Sequence, residues 1–507
     1  MPDQPAMDED ALYRALSTRD AHFDGRFFTG VTSTGIYCRP VCRVRTPHRG
    51  NCRFFEHAAQ AELAGFRPCL RCRPELAPRD RHWSTEDAGD ILVRQATTWL
   101  DQPDRGDGTA SAVTQLASRL GVSDRHLRRL FEDRLGVSPL QYLLTRRLLS
   151  AKQLLADTTL PVAEVALMSG FASVRRFNAA FSERYGMNPT QMRRGGGGSS
   201  GAPGASNGIR LAWRPPYQAQ ALMEFMAART LPGIEVIDTG TLSLRRTLQL
   251  KARGLEHRGW LQAQLDPVAG QLVLRVSDGL VPALPWVIAR VRAAFDLDAD
   301  PRAIDAVLHT DFPAGDGLRV PGAFDGFELA VRATLGQQIT VAAATTLARR
   351  LVTQLGEPLD TGSPGLDRLF PSAESLASVD PARLGEIGIV LQRQTALQSL
   401  ARSVLDGTLL LDDGADPERE IRTLQSLPGI GPWTAHYIAM RALRWPDAWP
   451  AGDIAMHHAL GLSSPGTPGA RKEAEQISQR WRPWRSYALV RAWRTPSAPP
   501  QPEHTTP

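Results

Sequence analysis

All five cysteines of this 507-residue chain fall between positions 38 and 72. Cys38 and Cys42 are separated by three residues, and Cys69 and Cys72 by two. Two closely spaced pairs are typical of a closed Cys₄ zinc site, in which each thiolate supplies one ligand. An odd number of cysteines without an export signal argues against a disulfide framework. We therefore predict that these four residues bind zinc and that Cys52 is a buried free thiol.

A second group of residues that could do chemistry lies in the stretch LPGIGPWTAHYIAMRALRWPDAWPAGD, from 427 to 453. Gly429 and Gly431 permit a tight turn, and the apolar spacing after them predicts a helix. Such a turn directs backbone N–H groups at an anion, and the expected anion is a DNA phosphate. Asp453 precedes the apolar run IAMHHALGL, where aspartate is typical of a helix N-cap. Taken alone, the residues favour the cap over a catalytic carboxylate.

The same stretch resembles the helix-hairpin-helix DNA glycosylases, most closely the AlkA type, the 3-methyladenine DNA glycosylase II family. The resemblance covers about residues 210 to 494, including WRPPY at 213–217, RATLGQQIT at 332–340 and RWRPWRSYALVRAW at 480–493. It implies that Asp453 is the catalytic aspartate. It also implies an aromatic base-binding pocket made of Phe225, Trp433, Tyr437 and Trp493, with Gln338 as a further substrate-binding residue. Without the resemblance, aromatic residues at helical spacing are more typical of a core.

Two positions depart from the pattern of that family. Gln338 stands where the family has a leucine that fills the gap left by an extruded base, so Ile339 is the alternative for this role. Ile454 follows the catalytic acid where tyrosine is frequent. The pocket is therefore expected to be less polar, with a different preference among bases.

The segments FFTGVTSTGIYCRPVCRVRTP and GFRPCLRCRPE surround the four cysteines. They resemble the N-terminal DNA methylphosphotriester repair domain of Ada, from about residue 10 to 78. The resemblance implies that the Cys38 thiolate accepts a methyl group, whereas the spacing of the cysteines predicts only a structural zinc site. Nearby arginines are predicted either to hold flanking phosphates or to form a solvated basic face; they are Arg39, Arg43, Arg45, Arg67, Arg71 and Arg73.

The stretch TQLASRLGVSDRHLRRLFEDRLG, from 114 to 136, has two apolar helical faces around Gly121, and a second copy of this pattern runs from 162 to 181. Each copy predicts a helix-turn-helix, and the pair resembles the AraC type. The side chains predicted to contact DNA are Arg125, Arg128, Arg129, Arg175, Arg176 and Asn178. Plain helical hairpins with solvated arginines are the alternative.

The fold class predicted is multidomain and mainly α. The expected divisions are a zinc-bound α/β domain at 1–80, an all-α double helix-turn-helix domain at 81–194, a flexible linker at 195–208, an antiparallel sheet subdomain at 209–320, an all-α helix-hairpin-helix region at 321–495, and a disordered tail at 496–507. The last two folded divisions together form an α+β glycosylase. The Gly-rich linker GGGGSSGAPGASNG predicts two halves that are tethered without rigid docking.

The net charge of +6 comes entirely from the first 194 residues, which hold 28 Arg and Lys against 22 Asp and Glu. This excess favours nucleic-acid partners. No run of about 18 apolar residues and no export signal is evident, so a cytoplasmic protein without membrane partners is expected. The expected partners are double-stranded alkylated DNA and promoter DNA, with RNA polymerase as a further candidate.

The resemblances together imply an alkylation-repair enzyme, a monofunctional DNA glycosylase that hydrolyses the N-glycosidic bond of bases such as 3-methyladenine and 7-methylguanine. Its other half would be a sequence-specific transcription regulator that accepts a methyl group on Cys38 in a single turnover. The alternative is a non-enzymatic, methylation-responsive activator whose C-terminal half binds damage without excision. The presence of an acid at 453 favours the enzyme.

Overall fold

The structure, a computed structural model, describes residues 8–79, 88–103, 109–195, 208–412 and 414–494, with only the backbone of 109–111 and 194–195. The predicted linker, apart from its end residues, and the predicted tail lie outside the described residues. The chain divides into two compact units. The N-terminal unit takes its residues from Met1–Ala219, Pro232–Asp300 and Pro358–Leu369, and the C-terminal unit from Gln220–Leu231, Pro301–Glu357 and Phe370–Pro507.

The helices in chain order are α1 Glu9–Thr18, α2 Ala58–Leu63, α3 Ala88–Leu100, α4 Thr109–Arg119, α5 Asp124–Leu135, α6 Pro139–Asp157, α7 Val162–Met168, α8 Val174–Tyr185, α9 Pro189–Gly195, α10 Ala219–Ala227, α11 Leu284–Ala294, α12 Pro301–Leu308, α13 Gly326–Leu335, α14 Val341–Leu355, α15 Ala373–Ser378, α16 Pro381–Glu386, α17 Leu391–Leu405, α18 Pro417–Ser426, α19 Pro432–Arg441, α20 Ile454–Ala459, α21 Ala470–Ser478 and α22 Arg485–Ala492. The strands are β1 Phe28–Val31, β2 Ile36–Cys38, β3 Cys52–Phe55, β4 Arg67–Pro68, β5 Ile209–Ala212, β6 Glu235–Asp238, β7 Ser243–Ala252, β8 Leu255–Asp266 and β9 Gln271–Val276. This content confirms the predicted fold class. Among the described residues, no helix is both long enough and apolar enough to cross a membrane.

The cysteine-bearing part of the N-terminal unit is a small four-stranded sheet with the order β3-β1-β2-β4. Strand β1 pairs antiparallel with both β2 and β3, while β4 runs parallel to β2. Phe28, Tyr37 and Phe66 form the core between the sheet and α2. Because Cys38 ends β2 and Cys69 directly follows β4, parallel pairing of these strands brings the two cysteine pairs to the same edge.

Seven helices, α3 to α9, form the all-α part of the N-terminal unit. Ser123 and Ser173 cap α5 and α8, each accepting a hydrogen bond at Oγ from the backbone N–H three residues later. Gly121 and Gly170 take φ values of +68° and +85°, a left-handed turn that glycine adopts without strain. The helix-turn-helix patterns α4–α5 and α7–α8 therefore form where the sequence predicts them.

The sheet subdomain of the N-terminal unit is a five-stranded antiparallel sheet with the order β5-β9-β8-β7-β6. Alternate residues of β8, including Leu261, Ala263 and Leu265, are buried, as the alternation of apolar and polar residues predicts. The 3₁₀ turn Asp278–Ala283 precedes α11 and contacts both this helix and strand β8.

The cysteine-bearing domain docks onto the sheet subdomain within the N-terminal unit, which differs from the expectation of halves without rigid docking. Arg214 is fully buried between them. Its guanidinium donates to the carbonyl oxygens of Asp24, Pro78, Arg79, Asp298 and Ala299 over 2.8–3.4 Å. The Arg26–Asp300 ion pair, at 2.6 Å, joins the same two parts.

The C-terminal unit contains helices α12 to α22 and most of α10. Helices α18 and α19 form the predicted hairpin, whose turn includes Gly429 at φ +79°. The stretch QRWRPWRSYALVRAWR consists of a short 3₁₀ turn at Gln479–Trp481 followed by α22. Pro483 lies between them, and a proline has no N–H to continue a helical hydrogen-bond ladder.

We expect Arg214→Met to lower the free energy of unfolding by about 3 to 5 kcal/mol, because five buried carbonyl groups would lose their donor. Arg210→Met is the matched control, since Arg210 lies on β5 with an exposed side chain. Urea denaturation of the full chain, followed by circular dichroism, gives the comparison. Equal denaturation midpoints for the two variants would contradict the role of Arg214.

Candidate active site and metal centre

Asp453 lies at the N-terminus of α20 with its side chain buried. Its Oδ1 accepts a hydrogen bond from the backbone N–H of Met456 at 3.0 Å, so the predicted N-cap is confirmed. The cap uses only part of the carboxylate. The indole Nε1 of Trp433 donates to Oδ2 at 3.2 Å, and the indole Nε1 of Trp493 lies 3.3 Å from both oxygens. The acid is therefore held by neutral donors from three elements of the C-terminal unit.

The four aromatic residues predicted for the pocket come together beside this carboxylate. The rings of Trp433 and Tyr437 stack with centroids 5.0 Å apart and planes 14° apart. The rings of Phe225 and Trp493 are within 9° of parallel, with centroids 5.9 Å apart. Tyr437 and Trp493 link the two pairs at 6.2 Å. Each of the four side chains keeps part of its surface accessible, as a binding pocket requires.

Two arginines that the sequence analysis did not select lie on the faces of these rings. The guanidinium carbon of Arg229 is 3.7 Å from the ring centroid of Phe225. That of Arg441 is 5.1 Å from Phe225 and 5.4 Å from Tyr437. Their spacing in the sequence could have identified them. Each arginine follows an aromatic residue by four positions on a helix or at its end, and residues so spaced share a helix face.

Arg441 changes the acidity of the neighbouring phenol. Its Nη1 donates to the Tyr437 hydroxyl at 2.6 Å, while Nε and Nη2 donate to the carbonyls of Pro321 and Gly322. Burial raises the pKa of Tyr437, but the positive charges of Arg441 and Arg229 outweigh burial and lower that pKa below its ordinary value. The hydroxyl is therefore a stronger hydrogen-bond donor than a free tyrosine.

The two glycines of the hairpin occupy different positions, because Gly429 has little room for a side chain and Gly431 lies at the start of a helix. A Cβ added at Gly429 would lie 3.1 Å from the Cβ of Ala396. Gly431 is the N-cap residue of α19 and is exposed. Gln337 ties the preceding loop to this turn, because its Nε2 donates to the Gly429 carbonyl at 3.0 Å and to Thr434 Oγ1 at 3.1 Å.

Gln338 lies in the loop between α13 and α14, with φ +54° and an exposed side chain. A left-handed backbone at a non-glycine residue is uncommon and is maintained by its surroundings. Here the neighbouring Gln337 anchors the loop to the hairpin. Ile339, the alternative residue for filling the gap, is half-buried.

The Sγ atoms of Cys38, Cys42, Cys69 and Cys72 all lie within 4.8 Å of one another. Ligands at the usual Zn–S distance of about 2.3 Å in a tetrahedron are roughly 3.8 Å apart, so the group fits zinc. Hydrogen bonds with Cys42 and Cys69 raise the pKa of the Cys38 thiol, so its ionisation is unfavourable. A bound divalent cation would stabilise the thiolate and offset this effect. Cys52 is buried outside this group, with Sγ 3.4 Å from the His48 carbonyl.

Three of the six arginines near the cysteines have structural roles, which corrects the predicted phosphate clamp. Arg39 is buried and bonds to the Asp24 carboxylate, with Nε 2.7 Å from Oδ1. Arg73 pairs with Asp157 at 2.6 Å, and Arg67 donates to the Tyr185 carbonyl. The exposed members are Arg43, Arg45 and Arg71.

The predicted DNA-contacting side chains of the helix-turn-helix part lie on the second helix of each motif. Arg125, Arg128 and Arg129 are exposed on α5, and Arg175, Arg176 and Asn178 are exposed on α8. The opposite faces of these helices contribute Phe131 and Phe177 to the core. This placement suits insertion of either helix into a major groove.

Four family descriptions match this chain in consecutive segments. They are the metal binding domain of Ada at 11–75, a helix-turn-helix domain at 116–195, the AlkA N-terminal domain at 208–325, and the HhH-GPD superfamily of base excision DNA repair proteins at 331–483. The Ada match and the four grouped cysteines together confirm the prediction of zinc.

The chain is similar to relatives of two lengths, one matching nearly the whole chain and the other about half of it. The probable bifunctional transcriptional activator/DNA repair enzyme AlkA of Mycobacterium tuberculosis is 38% identical over 498 residues, covering 96% of each chain. DNA-3-methyladenine glycosylase 2 of Escherichia coli is 36% identical over 287 residues, covering 56% of this chain and 96% of the relative. A solved 3-methyladenine DNA-glycosylase from Archaeoglobus fulgidus is 19% identical with a TM-score of 0.46, covering 56% of this chain and 96% of that one.

The purified full-length protein should contain about one zinc ion per chain. Cys42→Ser removes one of the four thiolate ligands and should lower the retained zinc severalfold in the presence of a competing chelator. Cys52→Ser is the matched control, because Cys52 lies outside the group. Elemental analysis after dialysis measures both. Equal zinc contents in the two variants would show that the metal lies elsewhere.

Proposed function

We propose, from the premise that this chain belongs to the family of bifunctional transcriptional activator/DNA repair enzymes of the AlkA type, that Asp453 is the catalytic aspartate of its DNA glycosylase. The reaction is hydrolysis of the N-glycosidic bond of an alkylated base, which leaves an abasic site. The observation that carries this assignment is the buried carboxylate of Asp453 between the indoles of Trp433 and Trp493.

The aromatic cluster supports a pocket for an extruded base. A damaged base must leave the duplex before an enzyme can reach its glycosidic bond, and weak pairing reduces the energy of extrusion. Trp433, Tyr437 and Trp493 offer ring faces for stacking, and a cationic base such as 3-methyladenine or 7-methylguanine is attracted to such faces.

Asp453 would act where positive charge develops. As the C1′–N bond breaks, its electron pair leaves with the base and the sugar becomes cationic. A carboxylate fixed in position stabilises this charge without reorganising. Asp453 then orients an attacking water and accepts its proton. A base that already carries a positive charge is a good leaving group, so no general acid is required for it.

Contacts with DNA are assigned to the hairpin and to the helix-turn-helix motifs. Gly429 and Gly431 would present backbone N–H groups to a phosphate of the damaged strand. We assign the gap left by the extruded base to Gln338, exposed on a loop that Gln337 anchors to the hairpin, with Ile339 as the alternative. The exposed arginines of α5 and α8 would contact promoter DNA. RNA polymerase is a proposed partner of the regulatory half.

The grouped cysteines support a second activity, in which Cys38 accepts the methyl group of a DNA methylphosphotriester. When bound, zinc keeps the ligating thiols deprotonated at neutral pH. The Cys38 sulfur would attack the methyl carbon, forming an S–C bond while the C–O bond breaks. The electron pair of that bond stays on the phosphate, which becomes an ordinary diester. The resulting thioether is stable, so each chain reacts once.

Methylation of Cys38 would also tighten binding to promoter DNA. A zinc site with four thiolates carries a net charge of about −2, and a thioether removes one negative charge. At an effective dielectric of roughly 20 to 80, one charge within about 5 to 8 Å of a phosphate changes the binding energy by about 0.5 to 3 kcal/mol. The exposed Arg43, Arg45 and Arg71 provide the basic surface on which this change acts.

Asp453→Asn should reduce base excision by roughly 100-fold or more while leaving the fold intact. Asparagine is also a favoured N-cap, so the start of α20 is preserved. Glu473→Gln, the same carboxylate-to-amide change at an exposed position of α21, should keep full activity. Release of methylated bases from alkylated DNA under single-turnover conditions measures both. Wild-type excision rates in Asp453→Asn would contradict the assignment of Asp453, whereas absence of excision by the wild-type protein would favour the alternative, an activator that binds damage without excision.

The glycosylase should leave an unbroken strand at the abasic site. Lyase-type relatives attack the sugar with a lysine in the hairpin, and this chain has Trp433 there. Its lysines are Lys152, Lys251 and Lys472, none of them in the hairpin. Incubation with damaged DNA and borohydride should trap no covalent adduct, whereas a lyase-type glycosylase as positive control should trap one. A trapped adduct with this protein would contradict the assignment.

Cys38→Ser should abolish methyl uptake from methylphosphotriester DNA and leave base excision unchanged, because every contact of Asp453 described above comes from the C-terminal unit. Labelled methyl transfer followed by peptide mapping identifies the acceptor, and Cys52→Ser is the matched control. In the same samples, promoter affinity of the full chain at fixed salt should rise several-fold or more after methylation, except in Cys38→Ser. Unchanged affinity after complete methylation would mean that the domain repairs without signalling.

A further inference from the structure

The N-terminal unit contains a cavity of about 90 Å³, measured as the space open to the centre of a water-sized sphere. One water needs roughly 10 to 15 Å³ on this measure, so the cavity holds several waters or one small polyatomic ion. Its charged lining consists of four guanidinium groups and two carboxylates, from Arg79, Arg146, Arg147, Arg292, Glu75 and Asp101. The cavity wall is therefore predominantly cationic.

Both carboxylates are already engaged within the wall. Glu75 bonds to Lys152 and, at 2.9 Å, to Arg73, so it faces two cations of its own. Asp101 pairs with Arg146 at 2.7 Å and with Arg79 at 3.5 Å. Burial, together with repulsion from Arg146 and Arg292, lowers the pKa of Arg79 to about 10 despite the nearby Asp101. Arg79 and Arg146 thus share the carboxylate of Asp101, and Arg292 pairs with Asp298, which lies outside the lining.

An unpartnered polar atom also lines the cavity. Ser169 is 5% exposed, and within the described part of the chain its Oγ has no hydrogen-bond partner. Buried hydroxyl groups in folded proteins nearly always have a partner, so one without a partner is informative. A hydroxyl that can donate, beside several guanidinium groups, is the donor set that binds tetrahedral oxyanions.

We propose that this cavity binds a small phosphate-bearing anion, either inorganic phosphate or the phosphate of a mononucleotide. The guanidinium groups supply the charge, and Ser169 donates to one oxygen. Residues of the lining come from the segment after the cysteine domain, from α6 and from α11, so the anion would join three parts of the N-terminal unit. Neither Asp453 nor the grouped cysteines line the cavity, and the proposal does not depend on the glycosylase or on methyl acceptance.

Isothermal titration calorimetry of the full-length protein at low ionic strength tests the proposal directly. Inorganic phosphate should bind saturably at about one site per chain and raise the unfolding temperature, whereas sodium chloride at the same ionic strength should do neither. Adenosine monophosphate forms a second arm. Binding of both would assign a mononucleotide site, and binding of phosphate alone would assign a free oxyanion. Absence of saturable binding in both arms would overturn the proposal.

Ser169→Ala distinguishes this cavity from other basic surfaces. Loss of one hydrogen bond to a charged group should weaken phosphate binding by about tenfold. Ser118→Ala, the same change at an exposed position of α4, is the matched control and should bind like the wild type. Both substitutions remove only one oxygen, and circular dichroism checks folding. Equal affinities in Ser169→Ala and Ser118→Ala would place the anion elsewhere and overturn the assignment.

Discussion

A buried carboxylate must be hydrogen-bonded, yet it must stay unpaired with a cation if it is to stabilise a cation that forms later. Asp453 meets both conditions with neutral donors, namely the amide of Met456 and the indoles of Trp433 and Trp493. These donors come from three helices or their ends, so the packing of the C-terminal unit converges on one side chain. On the proposed function, the same indoles would supply ring faces for the base, which would place the charge-stabilising carboxylate and the stacking surface in fixed relation.

Arginine is the second residue type around which this pocket is built. Arg229 and Arg441 cover ring faces of Phe225 and Tyr437, and Arg441 also donates to the Tyr437 hydroxyl. A pocket with fixed cations attracts a cationic base less strongly than bare aromatic rings would. In compensation, a polarised phenol can donate to an acceptor on a neutral base. On the proposed function, the balance between the ring faces and the guanidinium groups would set the preference for charged over neutral bases.

The sequence was sufficient wherever the information is local. Cysteine spacing located the zinc ligands, and serine and glycine positions located both helix-turn-helix motifs, because caps and left-handed turns depend on a few neighbouring residues. The sequence did not predict the roles of side chains whose partners lie far away along the chain. In sequence Arg39 and Arg73 look like exposed basic residues, but in the structure they form ion pairs with Asp24 and Asp157.

Linker composition proved the least reliable guide, for a physical reason. A Gly-rich linker limits only the distance between two domains, whereas their docking depends on the complementarity of their surfaces. Arg214 supplies that complementarity, because burying a guanidinium is tolerated only when its donors are satisfied together. Its partner Asp24 also holds Arg39, whose backbone N–H donates to Cys72 Sγ at 3.3 Å. Hydrogen bonds thus run without interruption from the zinc site to the sheet subdomain, so the mechanical independence of these two parts cannot be inferred from the linker.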